Sequence, residues 1–111
     1  MSLSTDLRVA AESNAVTFTF RVSNEGEEPV DLTFPSGKIA DVVVRQGDED
    51  VWRWSDGRMF TQTLEHRTLA AGESLTREFT WEDPIPGAYR AEATLDAMDT
   101  SVGASEQFAL D

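Results

Sequence analysis

Cysteine is absent from this 111-residue chain, which excludes disulfide staples, thiol nucleophiles and cysteine-ligated zinc. Histidine occurs once, at His66, and with no cysteine beside it no transition-metal constellation can be assembled. The stretch around it, "LEHRTL", reads as polar strand surface, and no serine sits in a nucleophile elbow, so a Ser-His-Asp hydrolase is not expected. Glycine-rich phosphate loops are missing too. Lysine occurs once, at Lys38; the other eight cations are arginines, and these nine face 21 Asp plus Glu for a formal net charge of −12. Nucleic acid is therefore not an expected partner, because binding it needs clustered cations to neutralise phosphates. An anionic membrane surface is disfavoured for the same reason. No apolar run approaches the ~20 residues that span a bilayer.

Several smaller absences point the same way. The start, "MSLSTDLRVA", lacks the charged and apolar regions of a secretory signal, and Met1, Ser2 and Leu3 read as a cloning remnant. A disulfide-free β domain with no signal is expected in the cytoplasm. "GDED" (residues 47–50) lacks the alternating oxygens and distal glutamate of an EF-hand loop, and reads as an acidic turn. No catalytic, cofactor-binding or metal-binding residue is expected, and hence no enzyme. Acid excess of this size strains a compact chain by self-repulsion in dilute buffer. At molar salt, where the Debye length is about 3 Å, that repulsion is screened. Acid excess with almost no lysine resembles, in composition alone, proteins of salt-accumulating cells.

What is present is alternation with period two. Val16, Phe18, Phe20 and Val22 share one face of a strand, with Thr17, Thr19, Arg21 and Ser23 on the other. Asn24-Glu25-Gly26 turns the chain; Val30, Leu32 and Phe34 alternate again until Pro35-Ser36-Gly37. "IADVVVRQ" follows, then the Gly47-Asp48 turn and "DVWRW". Residues 42–44 suit an edge strand that could pair with a second copy, with Asp41 and Arg45 as flanking charges that discourage it. Leu75, Phe79 and Trp81 share a face that Arg77 interrupts. After Pro84-Ile85-Pro86-Gly87 come Tyr89, Ala91, Ala93 and Leu95 in alternation, and Phe108 and Leu110 close the sheet near Leu7 and Val9. Helical spacing never persists; "LDAMDTSVG" is ambiguous. Eight or nine short strands with turns every 8–12 residues predict one all-β domain over residues 1–111, an immunoglobulin-like two-sheet antiparallel β-sandwich.

Function on such a scaffold sits on its end loops. Three stand out: residues 35–38, 55–58 and 82–88. In "VWRWSDGRMFTQTL" the spacing puts Trp52 and Trp54 on one strand face, with Met59-Phe60 re-entering after the turn as the second arm of a hairpin and Leu64 on the side of Phe60. Two placements fit the tryptophans, a core wall or an exposed pair, and each ring represents about 150–250 Å². In "EDPIPGA" the two prolines stiffen a loop whose Ile85 either meets a partner or folds back on the core.

"FRVSNEGEEPVDLTFPSGKIADVVV", "VWRWSDGRMFTQTL", "LAAGES" and "PGAYRAEATL", taken in order, resemble the intracellular proteinase inhibitor family (BsuPI-type) over about residues 16–95. The ordered series Asn24, "FPSGK" through Asp41 and "VWRWSDGRMFTQ" is its most distinctive part. The resemblance implies a β-sandwich that blocks a cytoplasmic subtilisin-like serine protease. An inhibitor that mimics substrate needs a stiff exposed loop with a side chain for the protease's apolar pocket. The candidates for protease contact are Ser55, Asp56, Gly57, Arg58 and Met59 on one loop and Pro84, Ile85 and Pro86 on another, with Phe60 adjoining the first. Met59 leads because it lies beside the turn. Two other readings compete: a protein-binding domain without inhibitory activity, docking through a sheet edge or the tryptophan hairpin, and a carbohydrate-binding module, which needs both Trp52 and Trp54 exposed. Oligomeric state is not legible in the sequence.

Overall fold

A computed structural model describes residues 3–111 of the chain. Nine strands follow one another: β1 (Leu3–Ala11), β2 (Ala15–Asn24), β3 (Val30–Phe34), β4 (Ala40–Gln46), β5 (Glu49–Arg53), β6 (Glu65–Leu69), β7 (Ser74–Glu82), β8 (Gly87–Leu95) and β9 (Gly103–Leu110). All ladders are antiparallel and form three hydrogen-bonded sheets, β1-β2-β7, β3-β6 and β5-β4-β8-β9. The class is all-β and sandwich-like, and "LDAMDTSVG" runs from the last residue of β8 through the connecting loop to the first residue of β9. Leu3 is paired opposite Asn24 in β1, while Met1 and Ser2, also read as a cloning remnant, lie outside the described residues.

Strand β2 supplies one wall of the core. Val16, Phe18, Phe20 and Val22 are buried, and register sets Phe18 against Phe79 and Val16 against Trp81 of β7. The facing wall comes from Val42 and Val44 of β4 and from Tyr89, Ala91, Ala93 and Leu95 of β8. The two alanines are small, and the aromatic rings fill the space: Trp52 stacks on Phe18 and on Trp81 at 6.0 and 5.9 Å between centroids. Phe108 meets Phe18 edge-on at 5.6 Å, which closes the core where β9 ends the larger sheet. On that side β1 reaches β9, with Thr5 Oγ1 donating to Gly103 O at 2.8 Å. Each fully buried phenylalanine is worth about 1.5–3 kcal/mol of burial.

Strand β4 departs from the expectation of an edge. It lies between β5 and β8, and residues 40–44 are all buried. A strand buried on both faces reads as a continuous apolar run, which is what "VVV" is. Asp41 and Arg45 therefore do not blunt an edge; they share one face of β4, where Asp41 meets Ser55 of the loop after β5. There Arg45 is 3.2 Å from Asp50 and 3.4 Å from Glu92, and Arg90 is 2.8 Å from Glu92.

Arg77, which interrupts the apolar face of β7, lies within electrostatic reach of Arg67 and Glu65 of β6. Burial pushes its guanidinium below the ordinary arginine range, Arg67 adds to the shift, and Glu65 opposes it. His66 is exposed on β6, with Nδ1 3.3 Å from Thr33 Oγ1.

Candidate functional site: a clamped loop with an exposed methionine

The segment between β5 and β6, residues 54–64, forms no strand. The hairpin expected from Met59-Phe60 is thus absent: β5 pairs only with β4, and β6 pairs with β3. Polar turn residues and long-range partners decide the local path instead. Two successive turns start the loop, with Asp56 N donating to Arg53 O and Arg58 N to Ser55 O, each at 3.1 Å. Gly57 adopts φ +77°, a conformation that costs a side-chain-bearing residue but not glycine.

One buried carboxylate holds the root of the loop. Asp41 Oδ1 accepts from Val42 N at 2.9 Å and Ser55 N at 3.1 Å, and its Oδ2 accepts from Ser55 Oγ at 2.6 Å. Lys38 Nζ and Arg53 Nη1 lie 3.6 and 3.8 Å from the same Oδ2 and balance its charge. A buried carboxylate with several donors and cations around it is stabilising, whereas the same carboxylate alone would be costly. Trp54 N donates to Val42 O at 3.0 Å, so the chain is also tied to β4 just before the turn.

The far limb is tied down differently. Gly37 N donates to Thr61 O at 2.9 Å. A Cβ at Gly37 would lie 2.5 Å from Thr61 Oγ1, so a larger residue there would force the Thr61 side chain to move. Between the two anchors, the Trp54 indole is packed edge-on against Phe79 at 4.9 Å. Phe60 leans on the indole at 5.7 Å, and the Arg58 guanidinium lies over it at 4.5 Å. Arg58 Nε donates to Trp54 O at 2.7 Å. Met59, the residue between Arg58 and Phe60, is 97% exposed. A shallow groove lined by Ser36, Lys38, Ser55, Arg58, Phe60 and Gln62 runs beside it.

Pro84, Ile85 and Pro86 lie at the opposite end of the sandwich. Register sets Ala40 of β4 against Leu95 of β8 and Arg45 against Arg90, so β8 begins at the Gln46 end of β4 while the Ser55 turn sits at the Asp41 end. Six residues of strand separate the two ends, roughly 20 Å. At the Gln46 end Asp83 takes φ +52° and donates its N–H to Asn14 O at 2.9 Å. Tyr89 OH donates to Ile85 O. Ile85 is 74% exposed rather than folded onto the core. The eight candidate contact residues therefore form two separate tips, not one surface.

Trp52 and Trp54 are both half-buried against core aromatics. This overturns the carbohydrate-binding reading, which needs both rings free. Asp41 and Asn24 stand in the sequence as parts of the family motif, and Asp41 also as a charge flanking a strand, but their organising role was not legible there. Asn24 Nδ2 donates to Glu28 O and Leu69 O at 2.8 and 2.9 Å, and its Oδ1 accepts from Gly26 N at 2.9 Å, which joins β2 to the end of β6. The available signal was a lone carboxylate inside the apolar run "IADVVV". Among the described residues no group of three or more His, Asp or Glu is placed to hold a metal ion, and no helix is long and apolar enough to cross a membrane.

A family model described as "Intracellular proteinase inhibitor" (BsuPI) matches residues 3–100. No curated protein matches the chain. Among solved structures, a β-glucosidase from Kluyveromyces marxianus in complex with glucose is 15% identical at a TM-score of 0.55, over 99% of this chain and 14% of that one. The GH3 β-glucosidase of Bifidobacterium adolescentis is 20% identical at a TM-score of 0.54, over 99% and 17%. A β-glucosidase from Erythrobacter marinus gives 11% and 0.55, over 99% and 15%. The chain spans less than a fifth of each of these enzymes, and at such identities the likeness is one of fold alone.

Proposed function

We propose, since the chain belongs to the intracellular proteinase inhibitor family, that it blocks a subtilisin-like serine protease inside the cell by presenting Met59 to the protease's apolar specificity pocket. The observation that carries this reading is the 97% exposure of Met59 on a loop clamped at both limbs. An exposed methionine on a mobile loop would lose ordering entropy on docking. Here Asp41, Trp54 and Gly37 have already removed most of that freedom, so more of the contact energy appears as affinity. A side chain inserted whole into a pocket is the kind of anchor that dominates an interface. The −12 charge suits a domain that works at high salt, where its self-repulsion is screened.

The test is a titration of the purified chain against a subtilisin-like serine protease in molar potassium chloride, read with a small chromogenic peptide. One-to-one loss of activity is expected, and loss of that inhibition in Met59→Asp. No inhibition by a folded chain at micromolar concentration would sink the proposal.

A second reading, a protein-binding domain without inhibitory activity, is favoured by the other tip, where Ile85 is 74% exposed between two prolines. It expects Ile85→Asp, and not Met59→Asp, to abolish capture of the partner.

A further inference from the structure

The two residues flanking Met59 lean on the same indole. On the N-terminal side Arg58 donates Nε to Trp54 O at 2.7 Å and lies 4.5 Å from the ring centroid. On the C-terminal side the Phe60 ring is 5.7 Å from that of Trp54. Trp54 cannot follow either of them outward, because its N–H is tied to Val42 O and its ring is seated against Phe79. Each limb has a second tie, Ser55 to Asp41 and Thr61 to Gly37. Cutting the chain between Met59 and Phe60 would therefore leave both new ends attached to the body of the domain.

We propose that the Met59–Phe60 peptide bond is the one the protease attacks, and that Trp54 is the positioning residue that makes the cut reversible. This rests on the inhibitor reading above. In the forward step the protease serine Oγ bonds to the Met59 carbonyl carbon. The bond from that carbon to Phe60 N breaks, and the serine proton passes through the protease's base to the new Phe60 α-amine. In a substrate that amine diffuses away, and water then hydrolyses the ester. Here Phe60 stays on Trp54 and its amine stays beside the ester carbon, at the high effective concentration of an intramolecular nucleophile. Its attack re-forms the amide, expels serine Oγ and returns the proton. Even the hydrolysed chain, with a Met59 carboxylate and a Phe60 ammonium held together, is poised for resynthesis by the reverse route with loss of water. The Ile85 tip has no such provision. The bond after Ile85 is the tertiary amide of Pro86, whose nitrogen lacks a hydrogen and is locked in a ring.

The test uses the full chain with a catalytic amount of a subtilisin-like serine protease and mass spectrometry of intact and nicked forms. Wild type should approach one intact-to-nicked ratio from both directions, starting from intact chain or from chain nicked after Met59, and its inhibition should persist. Phe60→Ala should shift that ratio toward nicked chain by about tenfold, the factor a lost aromatic pair corresponds to, and its inhibition should decay with time. Phe60→Tyr should restore the wild-type ratio. Trp54→Leu should be driven to the nicked form, and because Trp54 also packs on Phe79, the exposed Arg58→Ala serves as the variant that leaves the core untouched and should shift the ratio the same way. A cut at another bond, nicked chain that never reseals, or an unchanged ratio in Phe60→Ala overturns this inference while wild-type inhibition keeps the inhibitor reading. Wild type that does not inhibit overturns both.

Discussion

Met59 and Ile85 are the two most exposed large apolar side chains at loop tips, and the loops hold them by different means. The Met59 loop is irregular and is held by side chains from elsewhere in the sequence: the Asp41 carboxylate at its root, the Trp54 indole beneath it, and a glycine contact from residue 37. The Ile85 loop is short and is held mostly by its own backbone, with two prolines, a left-handed Asp83 and one hydroxyl from Tyr89 four residues on. The first arrangement depends on tertiary structure and can be dismantled one side chain at a time. The second rests on backbone constraints, including the tie of Asp83 N to Asn14 O, and depends less on any single side chain. A loop of the first kind can be rigid while keeping an ordinary secondary amide after its apical residue; at the second tip the bond after Ile85 is the tertiary amide of Pro86.

The sharpest way to break this comparison is to exchange the tips' chemistry. Met59→Asp should weaken protease inhibition about a thousandfold, the size of a lost interface anchor of ~4 kcal/mol, while Ile85→Asp leaves the titration unchanged. The reverse result would move the contact to the other end of the molecule. Next in size is the clamp. Asp41→Ala leaves Lys38 and Arg53 without their buried counter-charge and strips Ser55 of two acceptors. It should cost about 3 kcal/mol of stability, read by urea unfolding, and make the Met59 loop a site of rapid proteolysis. At the proline end, Tyr89→Phe removes a single hydrogen bond and should cost about 1 kcal/mol, with inhibition unchanged. The smallest effect belongs to Asp83→Gly. Relief of the left-handed residue is offset by the entropy of glycine, so thermal unfolding should report a gain of no more than about 1 kcal/mol. If Tyr89→Phe destabilised as much as Asp41→Ala, the contrast between tertiary and local anchoring would fail.

Much of the fold was legible because alternation is a local property. Val16, Phe18, Phe20 and Val22 announce their face without reference to any other strand, and all four are fully buried. The same holds for Tyr89 through Leu95. Alternation misled where a segment was buried on both faces, as at Val42–Val43–Val44, or where bulky apolar residues were held outside any strand, as at Met59 and Phe60. The quoted family motif contained the parts of the loop clamp, Gly37, Asp41, Trp54 and Ser55, but its spacing did not say that they touch. Asp41 reads as a charge flanking a strand until Ser55, fourteen residues later, is folded onto it.

By itself the sequence determined the β class, the core-facing residues of most strands, the turn positions and the exclusion of cysteine and transition-metal chemistry. These follow from composition and from a two-residue period that every strand carries within itself. Only the tertiary structure decided that β4 is central, that β5 and the Met59 segment form no hairpin, and that the two apolar tips lie at opposite ends. Strand partners and loop anchors are set by hydrogen bonds and packing between distant segments, whose loop-closure cost and burial gain are shared by the whole fold rather than encoded at either residue alone.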